Sequence, residues 1–210
     1  MTLTEHQNDA LAELINIGFG RTAASLSELT GHRVLLDAPQ VAIYPINELG
    51  SKLANFVPGE VATVHQIFNG PLAGDALLLL DYDGAVMLSY LLMDEQAKTQ
   101  RLDASAREVL TEVGNILLNA CLGMFGNLLQ VKVSFSVPRL HLESLDAVLN
   151  TLVIGKEELR YGLVVYTAFR MRDSAVSGYL VIVLGVSSLD RLIKEVEGWE
   201  ERQAEVGRKN

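Results

Sequence analysis

The strongest constraint on this chain is that it repeats itself. Shifted by 99 residues, Leu11 falls on Leu110, Glu13 on Glu112, Asn16 on Asn115 and Ile17 on Ile116. Leu29, Val34 and Pro39 fall on Leu128, Val133 and Pro138, and no gap is needed from Leu11 to Ile43. A duplication kept for packing alone matches apolar positions; this one also matches a Glu, an Asn and a Pro. Any fold for the chain must hold two copies of one plan.

Each copy opens with a long helix. In the first, from about Thr4 to Leu29, Leu11, Leu14, Ile15, Gly18, Leu26 and Leu29 recur at helical spacing and Gly31 is the expected stop. Extended runs at Val34 to Asp37 and Val41 to Ile46 flank Pro39, with a weak turn at Glu48 to Ala54. Strands near Val61 to Phe68 and Ala76 to Tyr82 follow, split by the turn Asn69-Gly70-Pro71, and a helix from about Gly84 to Met93 closes the half. The second half repeats this with a helix at Ala104 to Leu129 and extended runs at Lys132 to Ser136 and Arg139 to Leu142. Ser144 to Leu152 reads as helical, and either adds an element or takes the place of the Glu48 to Ala54 turn. Strands near Arg160 to Arg170 and Gly178 to Leu184 lead to a last helix from Ser187 or Ser188 to Glu201, and the polar tail from Gln203 is expected to fray. The charged stretch Asp94 to Asp103 links the halves. Helices flanking hairpins predict one α+β domain over residues 1–210, built of two repeats (about 4–94 and 102–202), with a mainly antiparallel sheet and approximate twofold symmetry.

Composition narrows the function. Hydrophobic residues make up 49% of the chain and charged residues 20%, enough to bury a core. A net charge of -9 opposes nucleic-acid binding, which needs clustered Lys and Arg, and opposes an anionic membrane surface. The N-terminus has no signal-peptide core, and the longest unbroken apolar runs, Ala76 to Leu80 and Tyr179 to Val186, are too short to span a bilayer. With a single cysteine, Cys121, the reading is a cytoplasmic protein in a reducing compartment. His6, His32, His65 and His141 are scattered without ligand spacing, Cys121 falls on an apolar helix face, and Gly70 and Gly74 form no phosphate loop. The chain is therefore expected to bind no metal and no cofactor of its own.

The polar matches share a helix face. At about 100° per residue, Asp9, Glu13, Asn16 and Gly20 fall within about 60° of arc. Leu11, Leu14, Ile15 and Leu29 lie opposite. Glu108, Glu112, Asn115 and Asn119 form the same stripe on the second long helix, with Val113, Leu117, Cys121, Met124 and Leu128 behind. Asn is a mediocre helix former and each Gly costs up to about 1 kcal/mol relative to Ala, so a helix accepting Asn16, Gly18 and Gly20 is shaped for a close approach on that face.

These residues resemble the CheC, CheX and FliY family of chemotaxis phosphatases, whose motif is Asp or Ser, three residues, Glu, two residues, Asn, twenty-two residues, Pro. Asp9, Glu13, Asn16 and Pro39 match it in full; Glu112, Asn115 and Pro138 match it again, with Glu108 where Asp or Ser is usual. At average composition one such Glu, Asn, Pro match arises by chance on the order of once in ten thousand positions. Two motifs in a chain of this length point to the CheC branch rather than to one-site CheX, or to FliY with its additional C-terminal domain. The related switch protein FliM shares the fold but lacks the Glu and Asn pairs.

The resemblance implies a CheC-like fold and hydrolysis of the phospho-aspartate of a response regulator such as CheY. It gives Asn16 and Asn115 the task of orienting the attacking water. Glu13 and Glu112 anchor the docked regulator through its lysine, and Asp9, Pro39, Glu108 and Pro138 support the motif. Mg2+ is expected in the regulator, not in this chain. A CheD-like deamidase is a further partner the family suggests. The competing expectations are a non-catalytic adaptor of the chemotaxis or flagellar switch system, and a phosphatase for a regulator outside chemotaxis.

Overall fold

The computed structural model describes residues 3–54, 57, 59–93, 101–153, 160–171 and 174–207. The first helix, α1 (Glu5–Thr30), starts at a capping box: Thr4 Oγ1 accepts from the Gln7 amide at 3.2 Å and Gln7 Oε1 accepts from the Thr4 amide at 2.8 Å. It stops at Gly31, whose φ of 69° is the left-handed conformation that closes a helix. Then come β1 (Val34–Leu36), β2 (Gln40–Pro45), α2 (Ile46–Leu53), β3 (Glu60–Asn69), β4 (Gly74–Asp81) and α3 (Tyr82–Met93). The second half gives α4 (Ala104–Leu128), capped by Asp103 Oδ1 on the Ala106 amide at 2.8 Å, then β5 (Ser134–Phe135), β6 (Arg139–Ser144), α5 (Leu145–Val153), β7 (Arg160–Met171), β8 (Ser174–Gly185) and α6 (Val186–Gly207).

The 99-residue offset governs more of the chain than the motif region. Strand β6 repeats β2 at both ends, and α2 and α5 begin on Ile46 and Leu145. The Glu48 to Ala54 segment is thus a full helix, and Ser144 to Leu152 is its counterpart rather than an addition. Three further expectations change. The Lys132 to Ser136 strand shrinks to Ser134–Phe135, α6 continues to Gly207 instead of fraying at Gln203, and Leu29 is 61% exposed rather than buried. Residues 94–100, most of the expected linker, lie outside the described residues.

Among the described residues eight strands form one sheet in which every pairing is antiparallel, in the order β1-β7-β8-β4-β3-β5, with β2 also on β7 and β6 also on β3. β4 and β8 pair at the centre, Leu77 opposite Val181. The short strands of each half border the long hairpin of the other. The architecture is α+β, as the sequence pattern predicts.

The sheet is covered on both faces. Ala62, Val64, Phe68, Leu78 and Leu80 join Leu11, Ile15, Phe19, Leu110, Leu117 and Phe125 in the larger core, under α1, α3, α4 and α6. Val61, Leu77, Leu79, Val181 and Val183 meet Leu49, Leu53, Leu149 and Leu152 of α2 and α5 in the smaller one. Burial on both faces is why β4 reads as an unbroken apolar run. Each fully buried Leu, Ile or Phe contributes about 1.5–3 kcal/mol, and this anchors the long helices to the sheet. Unbroken apolar runs do not flag α4, yet among the described helices it is long and apolar enough to cross a membrane; 56% of that stretch is buried inside the protein, as in a core helix.

Candidate functional site

α1 and α4 pack against each other in opposite directions. The end of α1, at Leu29 and Thr30, shares a groove with the start of α4, at Glu108 and Glu112, and midway Gly18 lies on Met124. A Cβ on Gly18 would stand 2.1 Å from Met124 Cε, so this glycine serves the helix crossing. Gly20, by contrast, has open space where a Cβ would go. Only the second glycine keeps the outer face flat.

With their apolar sides held on the sheet, both helices turn their polar stripes outward. Asp9, Glu13, Asn16 and Gly20 are exposed, and so are Glu108 and Glu112; Asn115 and Asn119 are half-buried. Pro39 is buried between β1 and β2, and Pro138 is half-buried between β5 and β6. β1 is tied to α1 by Ser27, whose Oγ accepts from the Val34 amide at 3.0 Å and donates to Ala23 O at 2.6 Å. Each proline therefore sits beside the strand that follows its helix.

The two stripes differ in internal order. Asn115 Nδ2 lies 3.5 Å from Glu112 Oε2, and Asn119 Nδ2 donates to Asn115 Oδ1 at 2.8 Å. Position 20, the counterpart of Asn119, is glycine, and Asn16 has no such partner. The second stripe is also bordered by a groove of about 330 Å³ between Leu29, Leu92, Glu108 and Glu112. The exposed Leu29 belongs to that groove.

Other chemistry is disfavoured or lies elsewhere. Burial alone pushes the Cys121 thiol up to about 12, leaving no thiolate for nucleophilic attack at neutral pH. Among the described residues no group of three or more His, Cys, Asp or Glu is arranged to hold a metal ion. The histidines are less scattered than the sequence suggests, however. His65 on β3 and His141 on β6 stand 6.2 Å apart, ring centre to ring centre, in a cavity of about 590 Å³ on the α5 side of the sheet. Behind them the buried Asp75 takes His65 at 3.2 Å and Arg160 at 2.9 Å. A smaller cavity of about 350 Å³, lined by Gln40, Ala42, Tyr44 and Lys52, is its symmetry counterpart: those positions repeat as Arg139, His141, Glu143 and Thr151. Sequence reading misses this cluster because its members come from four strands. Its one local signal is Asp75 at the head of the apolar run Ala76 to Leu80.

No protein-family profile matches the chain. It is 26% identical over 154 residues to the CheY-P phosphatase CheC of Bacillus subtilis, over 70% of this chain and 72% of that one. It is 25% identical over 144 residues to the flagellar motor switch phosphatase FliY of the same bacterium, over 67% of this chain; the match spans 36% of FliY, about a third of its length. Among solved structures, Thermotoga maritima FliY superposes with a TM-score of 0.74 at 21% identity, over 93% of this chain and 98% of that one. The middle domain of H. pylori FliM superposes with a TM-score of 0.66 at 9% identity, over 92% and 99%. At such identities the two superpositions speak for the fold alone.

Proposed function

We propose that the chain, similar to the CheY-P phosphatase CheC and the switch phosphatase FliY, is a CheC-type protein that hydrolyses the phospho-aspartate of a CheY-like response regulator, using two equivalent stripes. One observation carries this reading: a Glu and an Asn three residues apart, displayed outward on α1 and displayed again on α4. In it, Asn16 and Asn115 enter the regulator's site and hold the attacking water, and Glu13 and Glu112 anchor the docked partner. Asp9, Glu108, Pro39 and Pro138 shape the stripes.

The residue types suit the task. An asparagine has no useful pKa and is no general base, but its amide donates and accepts at once and can fix a water in line. An acyl phosphate has a good leaving group and a loose transition state, so positioning is the main requirement. Orientation of this kind supplies up to about 7–11 kcal/mol. The Mg2+ that neutralises phosphoryl charge would arrive with the regulator. An acidic chain of net charge -9 also has carboxylates to spare for a partner's lysine. The proposed place of action is the cytoplasm, and a CheD-like protein is a second candidate partner.

The alternative is a docking module that binds the regulator or a switch component without hydrolysis. The fold is neutral between the two, being shared with the FliM middle domain, and the retained Asn16 and Asn115 favour the enzyme, since docking alone does not call for them. The test is the decay of phosphorylated regulator with wild-type protein, Asn16→Ala, Asn115→Ala and the double variant. Acceleration that falls in each single variant and vanishes in the double supports two working sites. Binding without acceleration in the wild type sinks the enzyme reading for that regulator.

A further inference from the structure

The two stripes share Glu and Asn but not the residue one turn beyond. On α4, a chain of three side chains runs Glu112, Asn115, Asn119; on α1 it stops at Asn16, because position 20 is glycine. The polarity of that chain is fixed from its acidic end. A carboxylate only accepts, so Asn115 turns its nitrogen toward Glu112 and its oxygen along the helix. Asn119 must then meet that oxygen with its own nitrogen, which it does at 2.8 Å. Asn119 Oδ1 is left on the enclosed side, with no hydrogen-bond partner among the described residues. A buried acceptor without a partner is costly, so this residue gives up solvation to direct its donor outward.

We propose that Asn119 is a positioning residue of the second site, one that selects a single orientation of the Asn115 amide, and that the first site lacks this device. The proposal rests on the phosphatase reading above. The last torsion of an asparagine is broad and nearly twofold, so a free amide spends much of its time with nitrogen and oxygen exchanged. Held by Asn119, Asn115 keeps one N–H and one oxygen lone pair open in fixed directions, which is what holding a water in line requires. An ordinary hydrogen bond biases such an orientation by about two- to tenfold, and the effect belongs in turnover rather than in docking.

The experiment uses the full chain carrying Asn16→Ala, so that only the second site turns over, and follows phosphorylated regulator across a range of its concentrations. Asn119→Ala is expected to lower kcat by up to about twofold with KM unchanged; Asn119→Asp, which keeps the shape but offers an acceptor in place of the donor and so favours the exchanged amide, is expected to lower it by about two- to tenfold. The reciprocal variant is Gly20→Asn in a chain carrying Asn115→Ala. Open space at Gly20 admits the side chain, and first-site kcat is expected to rise by up to about twofold. A smaller folded fraction would also lower apparent kcat at constant KM, so the folded fraction of each variant is measured by urea unfolding; loss of folded enzyme would not produce that gain at the first site. If Asn119→Asp keeps full kcat and Gly20→Asn adds nothing, the positioning role is overturned while the phosphatase reading stands. If Asn16→Ala with Asn115→Ala leaves the wild-type rate, both fall.

Discussion

Arg160 Nη2 donates to Asp75 Oδ2 at 2.9 Å, with less than a tenth of either side chain exposed, while His65 stands 3.2 Å from the other carboxylate oxygen. The arginine also reaches Leu152 O and Val183 O, joining α5 to the central strands. Removing one member leaves a buried charge uncompensated. Asp75→Ala and Arg160→Ala are each expected to cost about 3–5 kcal/mol in urea unfolding, and the pair together less than the sum of the two. Simple additivity would show that the pair is not coupled.

The anchoring role of Glu13 and Glu112 gives a kinetic signature. Glu→Gln at either position, with the other site silenced at its Asn, is expected to raise KM for the phosphorylated regulator by about three- to tenfold and leave kcat within about twofold. The gap between Glu and Gln should narrow as salt is raised. A fall in kcat at constant KM would move these residues from docking into the chemical step.

Gly18 tests the helix crossing. Overpacking against Met124 costs about 1–3 kcal/mol, and about 1 kcal/mol is regained from helix propensity, so Gly18→Ala should destabilise by roughly 1 kcal/mol. With Met124→Ala present, the same substitution should become neutral or stabilising by up to about 1 kcal/mol. A cost that persists without the Met124 side chain would place the clash elsewhere.

Cys121 should resist thiol reagents in the folded chain and react fully once urea unfolds it. Its folded pKa of about 12 lies above the ordinary value of 9.0 because burial penalises the thiolate. Below pH 9 both states hold the proton and stability is unaffected. Between pH 9 and 12 only the unfolded chain releases it, so stability should fall by about 1.4 kcal/mol per pH unit in that window. Cys121→Ala removes this slope; an unchanged slope would assign it to other groups.

Much of this was legible in the residues. The stripe of Asp9, Glu13 and Asn16 was readable because helical spacing and a 99-residue echo are both local patterns, and its exposure followed from Leu11, Leu14 and Ile15 on the other side. Leu29 defeats the same logic: it keeps the spacing but lies near the helix end, where it lines a groove instead of a core. The short helix α2 hides because Gly50 and Ser51 weaken a segment that packing on β7 holds helical. The Asp75 cluster is out of reach of any local pattern, since Asp75 and Arg160 are 85 residues apart and meet only through the order of strands.

That order also bears on how such a chain arose. β2 lies on β7, and β6 on β3, so neither half completes its own sheet. A lone repeat would carry a bare hairpin edge and two orphan strands, and a second copy of itself would supply both needs. Such a repeat on its own would have to pair with a second copy and trade strands. Joining the copies in one chain freed assembly from protein concentration and released the paired surfaces from being identical. Asp9 against Glu108, and Gly20 against Asn119, are what that release permits.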